Sequence, residues 1–155
     1  YRRYAQPSDP YRPPMSRIFV FSLIALAACS GSTKGPDEEQ PFFPADFAQT
    51  YRLVRDCRQS NAHDMHFISV MASPGEANAY REKLYPLPKT TVLVKTLHDD
   101  PRCTTPIGYV AMRKEDDWIW QETTATFRVH TSGLIESCIT CHSRCSDRDF
   151  TCTDP

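Results

Sequence analysis

The sequence predicts an α+β fold: an antiparallel β-sheet with flanking short helices, the last of them close to the C-terminal end. Three observations carry that prediction. The run "TTVLVKTL" (90–97) is rich in β-branched residues, which suit a pleated, half-buried surface. "PIGYVAMRK" and "DWIWQETTATFRVH" flank a short acidic stretch near Glu115 to Asp117, as the two strands of a hairpin do. Thirteen prolines against five glycines in 155 residues favour extended, turn-rich chain over a helical bundle, and the length suits one folded domain.

Taken in order, residues 1–14 ("YRRYAQPSDPYRPP") read as an upstream extension, with the natural start expected at Met15. Residues 15–28 then carry Arg17 followed by an apolar run from Ile18 to Ala28. Those eleven residues are too few for a membrane-spanning helix, which needs roughly 20, and they fit the apolar region of a secretory signal. "LAAC" (26–29) resembles a bacterial lipobox, which implies cleavage before Cys29, lipidation of its thiol and attachment to a membrane through the lipid. Ordinary cleavage after the Ala-x-Ala of 25–27 is the alternative; both imply export, for the lipoprotein to a bacterial periplasm. Residues 29–41 read as a polar, flexible tether, and 42–155 as the folded domain.

Within the domain, "PADFAQTYRLVRDCRQ" offers Ala48, Tyr51, Leu53, Val54 and Cys57 at spacings compatible with a short helix. "HFISVMAS" alternates and is expected to be a strand. "SPGEANAYREKL" reads as a helix, with Ser73 as N-cap, Pro74 in the first turn and Glu76 three residues after the cap. "PLPK" ends it. The three strands named above follow, and "SGLIESCITCHS" closes the domain as a short helix. The chain carries 18 Lys+Arg and 19 Asp+Glu; without the segment before Cys29 this becomes 14 and 18. A nucleic-acid binder would need a basic face, so no nucleic-acid partner is expected.

"CITCH" (138–142) is the most specific motif. Cys138 and Cys141 lie three apart and His142 follows directly. On a helix, two such thiols share a face and can both add to the vinyl groups of one porphyrin, while the adjacent histidine can reach its iron; C-x-x-C-H is the c-type haem attachment pattern. The competing readings are a zinc site using Cys145 and Cys152 as further ligands, and a structural disulfide or redox dithiol. Only 13 residues follow His142 and none is Met, unlike small electron-transfer cytochromes, whose methionine ligand lies well downstream of the motif.

In its ordered features the chain resembles the cytochrome P-460 and cytochrome c-prime-beta family. The features are "YRLVRDC", a strand and a helix with "AYREKL", a Pro-bearing turn into "TTVLVK", a strand ending "MRK", the "DWIW" strand, "CITCH" and the "DF" of Asp149 and Phe150. Together they span about Tyr51 to Cys152. The resemblance implies one covalently bound haem c, with His142 as the proximal iron ligand and the distal face open to hydroxylamine or nitric oxide. It also implies a redox partner protein and a homodimer. The lysine that bonds to the porphyrin edge in cytochrome P-460 matches Lys95, which would share a strand face with Thr91 and Leu93. Two positions depart from the family pattern: Thr90 replaces a usual glycine, and Cys152 stands where an aromatic is usual.

Of the remaining cysteines, Cys57, Cys103, Cys145 and Cys152 allow three connectivities, of which Cys145–Cys152 and Cys57–Cys103 are favoured. His63 and His66 read first as a polar turn and second as distal groups. Met65, Met71 and Met112 read first as core and second as sixth ligands, and Trp118 and Trp120 as core or haem packing. Arg148 reads as a solvated tail residue. Two alternative functions stay open: a six-coordinate electron-transfer cytochrome, and a haem-free, disulfide-stapled lipoprotein.

Overall fold

The computed structural model describes residues 38–154. The upstream extension, the signal segment, Cys29 and the tether up to residue 37 lie outside the described residues. Six strands form one antiparallel sheet: β1 (Arg52–Gln59), β2 (Phe67–Ala72), β3 (Val92–His98), β4 (Pro106–Lys114), β5 (Trp118–Thr124) and β6 (Val129–Gly133). Their order in the sheet is their order in the chain, so each strand pairs with its sequence neighbours. Three short helices accompany them: α1 (Phe47–Thr50), α2 (Ala77–Arg81) and α3 (Glu136–His142). The α+β class with an antiparallel sheet is therefore what the chain adopts.

Three elements differ from the sequence reading. The helix expected around "FAQTYRLVRDCRQ" ends at Thr50, and Arg52–Gln59 is instead the edge strand β1. Leu53 and Val54 are adjacent, so they fall on opposite faces of a strand; only Val54 is buried. Register shifts between Leu53 and Arg55 and between Arg55 and Arg58 bulge this edge, and together with its exposed arginines they blunt it as a template for further pairing. The single strand expected from "DWIWQETTATFRVH" is in fact two. It breaks at a turn where Phe127 takes φ 64°, and β6 folds back on β5.

The helix after Ser73 is also shorter than expected. Ser73 Oγ donates to Glu76 Oε2 at 2.7 Å, and it accepts from the Val92 backbone N–H at 3.0 Å instead of capping α2. Val92 opens β3, so Ser73 ties the start of the α2 segment to the central strand.

The sheet is covered on both faces. One face presents Ile68, Val70, Ala72, Leu93, Met112, Trp118 and Trp120 to Ala77, Tyr80 and Leu87, and to the C-terminal residues Ile135, Cys138, Ile139 and Phe150. The other presents Val92, Val94, Tyr109 and Ala111 to an aromatic cluster of Phe43 and Phe47, with Phe127 stacked on Tyr109 at 5.1 Å. Fully buried Gln121 accepts from the Phe42 backbone N–H at 2.8 Å and donates to the Gln40 carbonyl at 3.1 Å. The last residues of the expected tether are thus held against the sheet.

Two disulfides are formed, Cys57–Cys103 and Cys145–Cys152. The first ties the edge strand β1 across β2 to the β3–β4 connection; the second closes a loop in the tail. Thr90, where the resembled family has glycine, takes φ 73° as the chain enters β3. This is a left-handed conformation that a β-branched residue rarely adopts.

Candidate haem-attachment site

Cys138, Cys141 and His142 all lie on α3. The helix starts where β6 ends: Gly133 at φ 105° turns the chain, and the Ile139 N–H donates to the Ile135 carbonyl at 3.0 Å. Ile135 and Ile139 pack against the sheet core, which fixes the rotation of the helix about its axis. Cys138 is half-buried and Cys141 exposed, and both are free thiols. Burial is the larger cause raising the Cys138 thiol above its ordinary value, with Glu122 adding to it.

The His142 ring is oriented by two contacts. Trp120 meets it edge-on with centroids 6.0 Å apart. Its Nδ1 lies 2.6 Å from the carbonyl oxygen of Phe150. A carbonyl only accepts, so Nδ1 carries the proton and Nε2 keeps its lone pair for a ligand. Burial pushes the imidazole below its ordinary value, the Phe150 bond pulls it partly back, and nearby Lys95 adds to the lowering.

Lys95 sits opposite, on β3. Val70 pairs with it from β2 and Val110 from β4. With Leu93 two residues away on the same strand, its side chain lines a small cleft of about 30 Å³ whose other walls include Val70, Met112, Trp120 and His142. Lys95 Nζ is 2.8 Å from His63 Nε2. Burial brings the ammonium down to about 8, opposed by the thiols of Cys141 and Cys138, which lie within electrostatic reach. His63 falls to about 3, through burial first and Lys95 second, so it is neutral and accepts from the Lys95 ammonium. The 3-10 turn that presents His63 has three consecutive left-handed residues, His63, Asp64 and Met65. Its exit is held where His66 Nδ1 meets Asp99 at 2.9 Å.

The structure thus brings Lys95 and His142 to one cleft, with the thiols of Cys138 and Cys141 within electrostatic reach of Lys95. Met112 lines the cleft, Met71 packs on the opposite face of the sheet, and Met65 is exposed. Arg148 pairs with Asp154 at 3.0 Å. Two residues with no clear signal in the sequence join the site. Glu122 lines a neighbouring cleft of about 360 Å³ that shares His63 and Val110 with the first. The backbone of Phe150 is the other, and a main-chain acceptor leaves no side-chain signature.

The donors suit a c-type haem. Two free thiols three apart on one helix and an imidazole with Nε2 available, beside a cleft walled by Val70, Leu93, Met112 and Trp120, match its attachment pattern. The Nε1 of Trp120, which borders the cleft, is buried without a partner. The zinc reading loses its further ligands, because Cys145 and Cys152 are bonded to each other. Among the described residues no group of three or more His, Cys, Asp and Glu is arranged to hold a metal ion, and no helix is long and apolar enough to cross a membrane. No protein-family model matches the chain, and no curated protein matches it significantly.

Proposed function

We propose that this chain is a mono-haem c-type cytochrome of the P-460 and c-prime-beta kind, exported to a bacterial periplasm and held at a membrane through a lipid on Cys29. One observation carries the proposal: Lys95 and His142 line one apolar cleft, with the imidazole Nε2 available, and the free thiols of Cys138 and Cys141, on the helix that bears His142, lie within electrostatic reach of Lys95. The two thiols would hold the haem as thioethers and His142 would be its proximal ligand. When bound, the haem would supply an iron centre able to bind nitric oxide or to take electrons from hydroxylamine and pass them to a redox partner protein.

The chain's own residues favour proton-coupled oxidation over simple gas binding. The carboxylate of Glu122, in the neighbouring cleft that shares His63 with the first, can accept protons. Lys95 would be the residue bonded to the porphyrin edge. A homodimer follows from the family resemblance alone.

The test is an absorption spectrum of protein matured with the c-type haem attachment machinery, taken oxidised, reduced and with nitric oxide. The proposal expects a Soret band, a covalent haem in the intact mass and a change on adding nitric oxide. Absence of a Soret band overturns it. Lys95→Ala should return an ordinary c-type spectrum; an unchanged spectrum and an unchanged haem mass would remove the cross-link. A lipid mass on the peptide that begins at Cys29 tests the anchor.

Met112 and His63, both at the cleft, favour a second reading as a six-coordinate electron carrier. A low-spin spectrum inert to nitric oxide would select it.

A further inference from the structure

The C-terminal tail does more than end the chain. Phe150, whose carbonyl faces His142 Nδ1 at 2.6 Å, lies inside the loop closed by Cys145–Cys152. That carbonyl is fixed from several sides. The Phe150 N–H donates to the Cys145 carbonyl at 2.9 Å, and the Asp149 N–H to the Ser146 carbonyl at 3.2 Å. Asp149 and Phe150 both take positive φ, at 50° and 62°, so the chain reverses sharply at this point. Left-handed backbone at two successive non-glycine residues costs energy and persists only where the surroundings enforce it. Here the enforcement includes the disulfide, and also the Asp149 carboxylate, which accepts from the Leu87 N–H at 2.8 Å and pairs with Lys114 at 2.7 Å. Thr151 closes the turn by donating to the Arg148 carbonyl at 2.6 Å.

We infer that the disulfide-closed loop 145–152 is a positioning device for His142: it holds the Phe150 carbonyl where it selects the Nδ1–H tautomer and aims Nε2 into the cleft. An imidazole alone in water prefers the Nε2–H tautomer, which has no lone pair on the nitrogen meant for a ligand. A partner on the second ring nitrogen fixes tautomer and ring orientation and raises ligand basicity. With the loop opened, the carbonyl is released and that selection is lost. The role as an iron ligand rests on the proposed function; the tautomer selection does not.

The test compares the intact chain with Cys145→Ser/Cys152→Ser, and uses Cys57→Ser/Cys103→Ser as a control that also loses one disulfide. Nitrogen-15 NMR of His142 at neutral pH in the haem-free protein reads the tautomer directly. The intact chain and the control should show a single Nδ1–H form, whereas in the tail variant the Nε2–H form becomes the major one. In haem-matured protein the ferrous iron–histidine stretch, read by resonance Raman, should move to lower frequency in the tail variant alone. A folded tail variant that keeps the Nδ1–H form and the unshifted stretch overturns the inference, as does an Nε2–H form in the intact chain. Should the serine variant not fold, a glycine inserted after Phe150 with the disulfide retained displaces the same carbonyl, and the same outcomes apply. If no form takes up haem but the tautomer shifts as expected, the proposed function fails while the positioning role stands.

Discussion

Among the described residues Lys95 has a neutral histidine, not a carboxylate, as its partner, so its charge is carried at a cost to the fold. Below about pH 8 the amine is protonated in both folded and unfolded chain, and the cost is present in full. Between about 8 and its ordinary 10.5 the unfolded chain binds a proton that the folded chain lacks, so stability rises with pH. Haem-free protein should gain on the order of 1–3 kcal/mol across that window in urea titrations. Lys95→Met should abolish the rise and be the more stable protein at pH 7; a parallel pH profile in the two proteins would refute this. His63 behaves alike at the acid end, because its neutral form is favoured down to about 3. Stability falls as pH drops below its ordinary 6.5, and His63→Gln should flatten that slope. The sequence showed the thiols and His142 through the C-x-x-C-H motif, and Lys95 only through the family resemblance, with which strand alternation was compatible. It did not show that His63 enters the cleft, because "NAHDMHF" has the composition of a polar turn. Only three successive left-handed residues aim that ring inward.

At the scale of elements, the tail is locked to the sheet by the pair Lys114–Asp149, with side chains only 12% and 7% exposed. Lys114 ends β4 and also sits over the Trp118 ring, while Asp149 holds the Leu87 N–H. Removing one partner of a buried pair leaves an uncompensated charge. Asp149→Ala should therefore destabilise the protein by about 3–5 kcal/mol in chemical denaturation, and Lys114→Met/Asp149→Leu should recover much of the loss. An unchanged midpoint in Asp149→Ala would show that the pair contributes nothing. The strands β2 to β5 were legible from β-branched residues and alternation. β1 was not, because its arginines and single buried residue lack an apolar face; its strand character comes from pairing with β2. β6 was hidden inside a longer β-like run, since the sequence around Phe127 has no glycine or proline to mark the turn. The soft pieces "MRK" and "DF" meet through Lys114 and Asp149, although neither is informative alone.

For the molecule as a whole, Cys57–Cys103 joins residues 46 apart in sequence and closes the sheet at one end. Constraining the unfolded chain over such a loop is worth about 4 kcal/mol in the chain-entropy model, within the usual range of about 2–5. Cys57→Ser/Cys103→Ser should lose about 2–4 kcal/mol in the same titrations while retaining the sheet's circular dichroism. Equal midpoints for variant and parent would contradict this. The consecutive strand order has a further consequence, for how the protein is made. Each strand finds its partner in the chain just before it, so a polypeptide emerging N-terminus first can complete the sheet before α3 appears. Within the domain, Cys57 and Cys103 are then the two cysteines that an oxidant meets first. Six thiols presented together could pair in 15 ways, but thiols delivered in this order leave the first pair one choice. Cys138 and Cys141 then arrive beside a finished apolar wall, with the first disulfide already closed and only Cys145 and Cys152 still to follow.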